Sequence, residues 1–207
     1  MSRFPFFKEI EGARILIVGG GSIAARRAQT LQQFNPILRA VAPEFCEAFE
    51  KLGIECICRR FEPKDLEGMY AVVAATNDRE INAKIAELGR VRGLEVNVSD
   101  DLDACTFLFP AVIRRGGMTV AMTSGGASPV ATKYVRERIE RVIPDNFEEV
   151  LARMEIARGF AKKYIPDSQT RAEALHEAFN RCMTSAALPD SGALECMIRR
   201  YRCTEMD

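Results

Sequence analysis

The sequence has one histidine, no Cys-x-x-Cys pair, no net charge and no apolar run long enough to cross a membrane. Each absence narrows the function. His176 stands alone in a charged helical pattern, so it reads as a surface residue. A histidine metal cage or a histidine-based catalytic triad is excluded. The seven cysteines are Cys46, Cys56, Cys58, Cys105, Cys182, Cys196 and Cys203, an odd number. Without a Cys-x-x-Cys among them, neither a thiol redox pair nor a zinc knuckle is expected. Cys56 and Cys58 would share one face of a strand and are expected to pack there. Basic and acidic residues balance at 29 each, so no bulk attraction to nucleic acid or a membrane surface is expected. The run Met1-Ser2-Arg3-Phe4-Pro5-Phe6-Phe7 is too short for a signal-peptide core, and the cytoplasm is the expected compartment. No internal repeat and no low-complexity stretch occurs.

What is present centres on Gly19-Gly20-Gly21-Ser22-Ile23-Ala24. An apolar run, Ile15 to Val18, precedes it, and a helical pattern follows. Gly19, Gly21 and Ala24 fit the G-x-G-x-x-[G/A] pattern of dinucleotide-binding turns. Gly19 permits the tight turn, Gly21 lets a pyrophosphate approach the backbone, and Ala24 lets the helix pack closely on the sheet. The helix N-terminus adds unpaired N–H groups and the positive end of a dipole. The alternative is a close helix–sheet contact with no ligand.

In chain order, the patterns predict strands at Arg14–Val18, Ile37–Val41, Ile54–Arg60, Tyr70–Ala75 and Leu94–Val98. Helices are expected at Ala24–Phe34, Phe45–Leu52 and Glu80–Arg92. Asn35-Pro36 would stop the first, Gly53 the second and Gly93 the third, with Asn77 or Asp78 capping the start of the last. This alternation predicts an α/β fold of the Rossmann type, a doubly wound parallel sheet. Next come two apolar runs, Thr106–Ile113 and Met118–Thr123, joined by Arg114-Arg115-Gly116-Gly117 and read as a hairpin. Ser124 to Pro129 leads into a helix at about Val130–Val142. That turn is either a second anion site or a plain helix cap. Amphipathic helices are expected at Asn146–Lys163, Ser168–Ser185 and Ala193–Arg202, separated at Pro144, Pro166, Pro189 and Gly192. The division is therefore 1–105 as an NAD-binding domain, 106–144 as a dimerisation segment and 145–207 as a helical C-terminal domain.

Ligands of open parallel sheets sit outside the carboxyl ends of the strands. Gly19–Ala24, Thr76–Asp78 and Asn97–Asp100 share that edge, and Thr76 is a candidate cofactor contact. Glu44 follows the second strand, where an acid accepts from the ribose hydroxyls and favours NAD over NADP. An acid is also favoured there simply as the start of a helix. Asp100 is a candidate proton acceptor. Asp101 and Asp103 read as a polar turn.

Taken together, these blocks resemble the precorrin-2 dehydrogenases of sirohaem biosynthesis, found alone or as the front part of sirohaem synthases. The likeness runs from Phe4-Pro5 to about Arg141. It rests on Ile17-Val18-Gly19-Gly20-Gly21-Ser22-Ile23-Ala24, Ala74-Ala75-Thr76-Asn77-Asp78, Asn97-Val98-Ser99-Asp100, Thr106-Phe107-Leu108-Phe109-Pro110-Ala111 and Thr123-Ser124-Gly125-Gly126-Ala127-Ser128-Pro129. The resemblance implies NAD-dependent oxidation of precorrin-2 to sirohydrochlorin by a homodimer, with the tetrapyrrole held between domains. It assigns Asp100 to the chemistry and Ser22, Ile23, Pro43 and Glu44 to NAD. Ser124 matches a serine that is phosphorylated in some relatives. Cys105-Thr106-Phe107 departs from a common serine before the phenylalanine, though threonine keeps a hydroxyl. For the many carboxylates of such a substrate, Ser124, Arg114 and Arg115 are candidate contacts, with Lys133 and Arg136 behind them. No metal ligand set is identified. Two alternatives stand beside this reading: a bifunctional enzyme that also inserts ferrous iron, and a non-catalytic NAD-sensing module.

Overall fold

Arg14–Val18 is apolar after its first residue, and those four residues are buried on both faces. Only a central strand buries both faces, and β1 (Arg14–Val18) is at the centre of a parallel sheet. The computed structural model describes residues 4–203. Around β1 stand β2 (Ile37–Ala42), β3 (Glu55–Cys58), β4 (Ala71–Ala74) and β5 (Glu95–Val98), in the order β3-β2-β1-β4-β5. Every neighbouring pair is parallel. Helix α1 (Ser22–Gln32) follows β1, and α2 (Arg79–Val91) links β4 to β5. This is the doubly wound α/β arrangement that the strand and helix alternation predicts.

The two faces of the sheet have separate cores. Ile15, Ile17 and Val73 meet Ala24, Ala28 and Leu31 of α1 on one face. Leu16, Val18, Val72 and Val96 meet Ile85 and Ala86 of α2 on the other. The period of two along the strands sends alternate residues to each. Asp78 starts α2, its carboxylate accepting from the N–H groups of Glu80 (2.9 Å) and Ile81 (3.1 Å). Asn35, at φ +54°, turns the chain after α1.

Three expectations change. The helix expected over Phe45–Leu52 is a single 3-10 turn, Glu47–Phe49. Its N–H groups reach three residues back, Phe49 to Cys46 and Glu50 to Glu47, while Cys46 N–H is taken by Gly20 O at 2.8 Å. Phe45 and Phe49 pack edge to face, their ring centroids 4.9 Å apart. Cys56 and Cys58 are exposed rather than packed, because β3 is an edge strand. The first strand of the hairpin begins at Ala111, not Thr106, since Pro110 has no N–H for a ladder. Thr106 instead closes the edge of β5, donating its N–H to Val96 O and accepting the Val96 N–H at Oγ1, both at 2.8 Å.

The hairpin itself is β6 (Ala111–Arg115) and β7 (Met118–Met122), turning on Gly116-Gly117 alone. Then come α3 (Pro129–Val142), α4 (Phe147–Tyr164), α5 (Ser168–Thr184) and α6 (Ser191–Arg200). Gly192 falls inside α6, whose cap is Asp190 accepting from Ala193 N–H at 2.8 Å. Contacts divide the chain into two compact units. One holds Met1–Ala111 with Thr123–Pro129, the other Val112–Met122 with Val130–Asp207. The second has its own core, where Ala157 and Ala161 of α4, Ala174 and Ala178 of α5, and Leu194 and Ile198 of α6 are fully buried. Among the described residues no helix is long and apolar enough to cross a membrane.

One ion pair, between a half-buried arginine and a buried aspartate, makes the stability of the first unit pH-dependent. Arg59 grips Asp65 with both terminal nitrogens (2.8 and 2.5 Å), and Glu62 N–H adds a third bond at 2.9 Å. The Arg59 guanidinium holds the Asp65 carboxyl below its ordinary value. A depressed value means the stabilisation is complete above the unfolded carboxylate range, about pH 4, and is lost as pH falls through the folded value. Asp65→Asn is expected to cost about 1.5–3 kcal/mol at pH 7. The gap to the parent should narrow steadily as pH falls below about 4 in urea titrations, and a gap that does not change with pH counts against this pair.

Candidate active site

The turn after β1 is built so that three chain segments meet. Gly19 has φ +131°, and a Cβ there would lie 2.3 Å from Ala75 O at the end of β4. A Cβ on Gly20 would lie 1.8 Å from Glu44 O. Neither position has room for a side chain. Cys46 N–H closes the contact onto Gly20 O and seats the segment after β2 against the turn. Pro43 and Glu44 are thereby held beside the glycines, both exposed.

Gly21 is different. Its backbone is extended (φ −83°, ψ 178°), and nothing lies within 4 Å of where its Cβ would be. It is the N-cap of α1, and no side chain caps that end. Ser22 and Ile23, exposed, form the first helical positions. An open glycine before an uncapped helix start is the cradle a pyrophosphate requires, so the residues present fit a dinucleotide.

Thr76 and Asp100 lie at the same edge, beyond β4 and β5, and a residue of α2 joins them. Asn82 is 1% exposed. Its Oδ1 accepts from Thr76 N–H (3.2 Å) and Thr76 Oγ1 (2.8 Å). Its Nδ2 donates to Thr76 O and to Asp100 Oδ1, each at 3.1 Å. The Thr76 N–H and C=O fix which end of the amide is oxygen. The other oxygen of Asp100 is 3.4 Å from the Nε of Arg79, a largely exposed side chain. Asp101 is a turn residue, its Oδ1 accepting from Asp103 and Ala104 N–H. Arg39 does not reach toward the ribose position, because it bonds Glu55 on β3 at 2.8 Å.

Sequence reasoning missed Gly20, Asn82 and Arg27. For Asn82 the signal was present: it is a polar residue on the stripe of α2 that also carries Ile85 and Ala86. Arg27 of α1 lies over the Phe109 ring, 4.4 Å from its centroid. Its Nε is buried without a hydrogen bond, and burial pushes its pKa down.

The remaining candidates have partners of their own. Ser124 Oγ accepts from Ser128 N–H (3.0 Å) and donates to Ser128 O (3.1 Å), closing a turn before α3. Arg114 and Arg115 belong to the second unit, where Arg115 is 3.6 Å from Glu140. Lys133 and Arg136 likewise pair along α3, with Glu137 and Glu140. His176 is exposed and bonds Asn180.

Residues 6–111 match a family described as "Putative NAD(P)-binding". The chain is 34% identical over 183 residues to a siroheme synthase of Azotobacter vinelandii, which covers 86% of this chain and 39% of that protein. It is 35% identical over 181 residues to one of Ectopseudomonas mendocina, again 86% and 39%. With one of Pseudomonas entomophila it shares 34% over 197 residues, 93% of this chain and 42% of the other. The chain thus spans about two fifths of the length of the curated relatives it matches. Among solved structures, "SirC, precorrin-2 dehydrogenase" shares the fold with a TM-score of 0.66 at 20% identity, over 96% of this chain and 100% of that one.

Proposed function

Because the chain belongs to this NAD(P)-binding family, we propose that it oxidises precorrin-2 to sirohydrochlorin with NAD. The observation that carries the reading is the convergence, at one sheet edge, of an open glycine cradle and a positioned carboxylate, Asp100. NAD, when bound, accepts a hydride. The chain's own residues do the rest. The N–H groups at the start of α1, with Gly21 leaving the approach open, hold the pyrophosphate. Glu44 accepts from the ribose hydroxyls and repels a 2′-phosphate. Thr76 lines the edge beside the glycines. Asp100 takes the proton that leaves as the hydride departs, so two hydrogens are removed and NADH and a proton result. Arg114 and Arg115 supply charge suited to substrate carboxylates, and Ser124 a hydroxyl.

The test is an anaerobic assay with precorrin-2 and NAD, read by the absorbance of the reduced nicotinamide. Turnover is expected, and faster with NAD than with NADP. No reduced cofactor at any enzyme concentration overturns the dehydrogenase reading. Equal use of NADP removes Glu44 from its role.

A second copy of the chain is the proposed partner. Helix α3 has no buried residue, and Val130, Tyr134, Val135 and Val142 are 79%, 56%, 45% and 74% exposed. Fourteen helical residues without a buried face call for a covering surface, and a two-fold pairing supplies one from the same patch. Light scattering at micromolar concentration is expected to give a dimer, and Val135→Glu a monomer. A monomeric parent counts against it.

A further inference from the structure

We propose that Asn82 is a positioning residue for the dehydrogenation. It sets the carboxylate of Asp100 and the Thr76 turn in one fixed relation. The inference rests on the reading of Asp100 as proton acceptor.

Asn82 is buried in α2, yet none of its polar capacity goes to α2. A side-chain amide has two N–H donors and an oxygen with two lone pairs. Both N–H groups and both acceptor sites of Asn82 are used, three of the four bonds on Thr76 and one on Asp100 Oδ1. Thr76 follows β4 and Asp100 follows β5. Two adjacent strand ends are therefore tied through one amide that a helix presents from below. Burial makes the tie stiff, because a polar group cut off from water forfeits its hydrogen bond if it turns away.

The bond to Asp100 also has a direction. Nδ2–H donates, so it holds Oδ1 of Asp100 in place as an acceptor. The other charged groups about Asp100 do not duplicate this. Arg79 of α2 contacts Oδ2 at 3.4 Å from a side chain that is 88% exposed, so solvent screens it. Asp78 is occupied as the cap of α2. On Asp100's own loop, Asp101 is occupied by the N–H groups of Asp103 and Ala104. Asp103 receives Arg90 at its backbone oxygen. Among the described residues, only Asn82 meets Asp100 from a buried, fully bonded position.

Asn82→Asp replaces the Nδ2 donor with a carboxylate oxygen facing Asp100. Like charges disfavour ionisation, so the acid limb of the kcat/KM profile for precorrin-2 is expected to move up by roughly one pH unit or more. Asn82→Ala removes the donor and frees the Thr76 turn. It should lower kcat by about tenfold or more and raise the KM for NAD. Arg79→Ala, which removes the screened partner, should shift the limb little. Asp100→Asn is run in the same assay, and circular dichroism melts establish that each variant is folded. If Asp100→Asn is inactive while both Asn82 variants keep the parent profile, the proposal is overturned and the Asp100 reading stands. A rate loss in the Asn82 variants without any shift of the acid limb also overturns it, because that marks a purely structural residue. If Asp100→Asn keeps the parent rate, the Asp100 reading falls and this inference falls with it. Should Asn82→Asp fail to fold, the acid limb of Asn82→Ala decides the question.

Discussion

Asp100→Asn is expected to slow precorrin-2 oxidation by roughly 10²–10⁴-fold, the usual worth of a positioned acid or base. The substitution keeps the size of the side chain and an oxygen that can face Asn82 Nδ2, so the tie between the strand ends is kept. What it removes is a carboxylate able to take a proton. NAD binding should stay near the parent's, because the glycine turn and Glu44 are untouched. Asp101→Asn is the internal control. Asp101 accepts two backbone N–H groups through one oxygen, and an asparagine offers the same acceptor. Its effect on rate should be within a few-fold, on the order of a surface substitution. Steady-state rates of both variants under anaerobic conditions decide the matter. Equal rates, both near the parent's, reduce Asp100 to a turn residue and leave the chemistry to cofactor placement alone.

How much of this was legible in the sequence depended on whether a feature was local. The strands β1 and β4 are continuous apolar runs, and central parallel strands leave no other option. Asp78 could be read as a cap because capping involves residues two and three positions away. The glycines were visible too, but their separate tasks were not. Gly20 has no assigned place in the G-x-G-x-x-[G/A] pattern, yet it is as crowded as Gly19, and the crowding comes from Glu44, 24 positions on. The bond from Cys46 N–H to Gly20 O is equally out of reach of any window around Cys46. Thr106 is a further case. Its apolar neighbours suggested a strand of a hairpin, but the open edge of β5 takes its N–H first, and Pro110 prevents the ladder from continuing. The site showed the same limit. Glu44, Thr76 and Asp100 could each be placed by the rule that ligands sit at strand ends. Asn82, which joins two of them, lies in the first turn of α2, where a single polar residue on a buried stripe gives no hint of its partners.

Gly21→Asp is expected to abolish NAD binding while leaving the fold intact, and the geometry separates the two effects. At Gly19 and Gly20 any Cβ meets a backbone carbonyl within 2.3 Å, so substitutions there disturb the turn itself. At Gly21 the space is open and the backbone is extended, a conformation every residue adopts. Aspartate is also a preferred N-cap, so its carboxylate would accept the free N–H groups of the first turn of α1 and add a few tenths of a kcal/mol to the helix. Those are the same N–H groups that the pyrophosphate needs. The added side chain therefore fills the approach, occupies the donors and brings a negative charge against a negatively charged ligand. Calorimetric titration with NAD should show no measurable heat of binding, and the melting temperature without cofactor should equal the parent's or exceed it slightly. Gly20→Ala should give the opposite pattern, a lower melting temperature with weaker binding as a consequence. If Gly21→Asp binds NAD with the parent's affinity, the glycine turn is not where the phosphates sit.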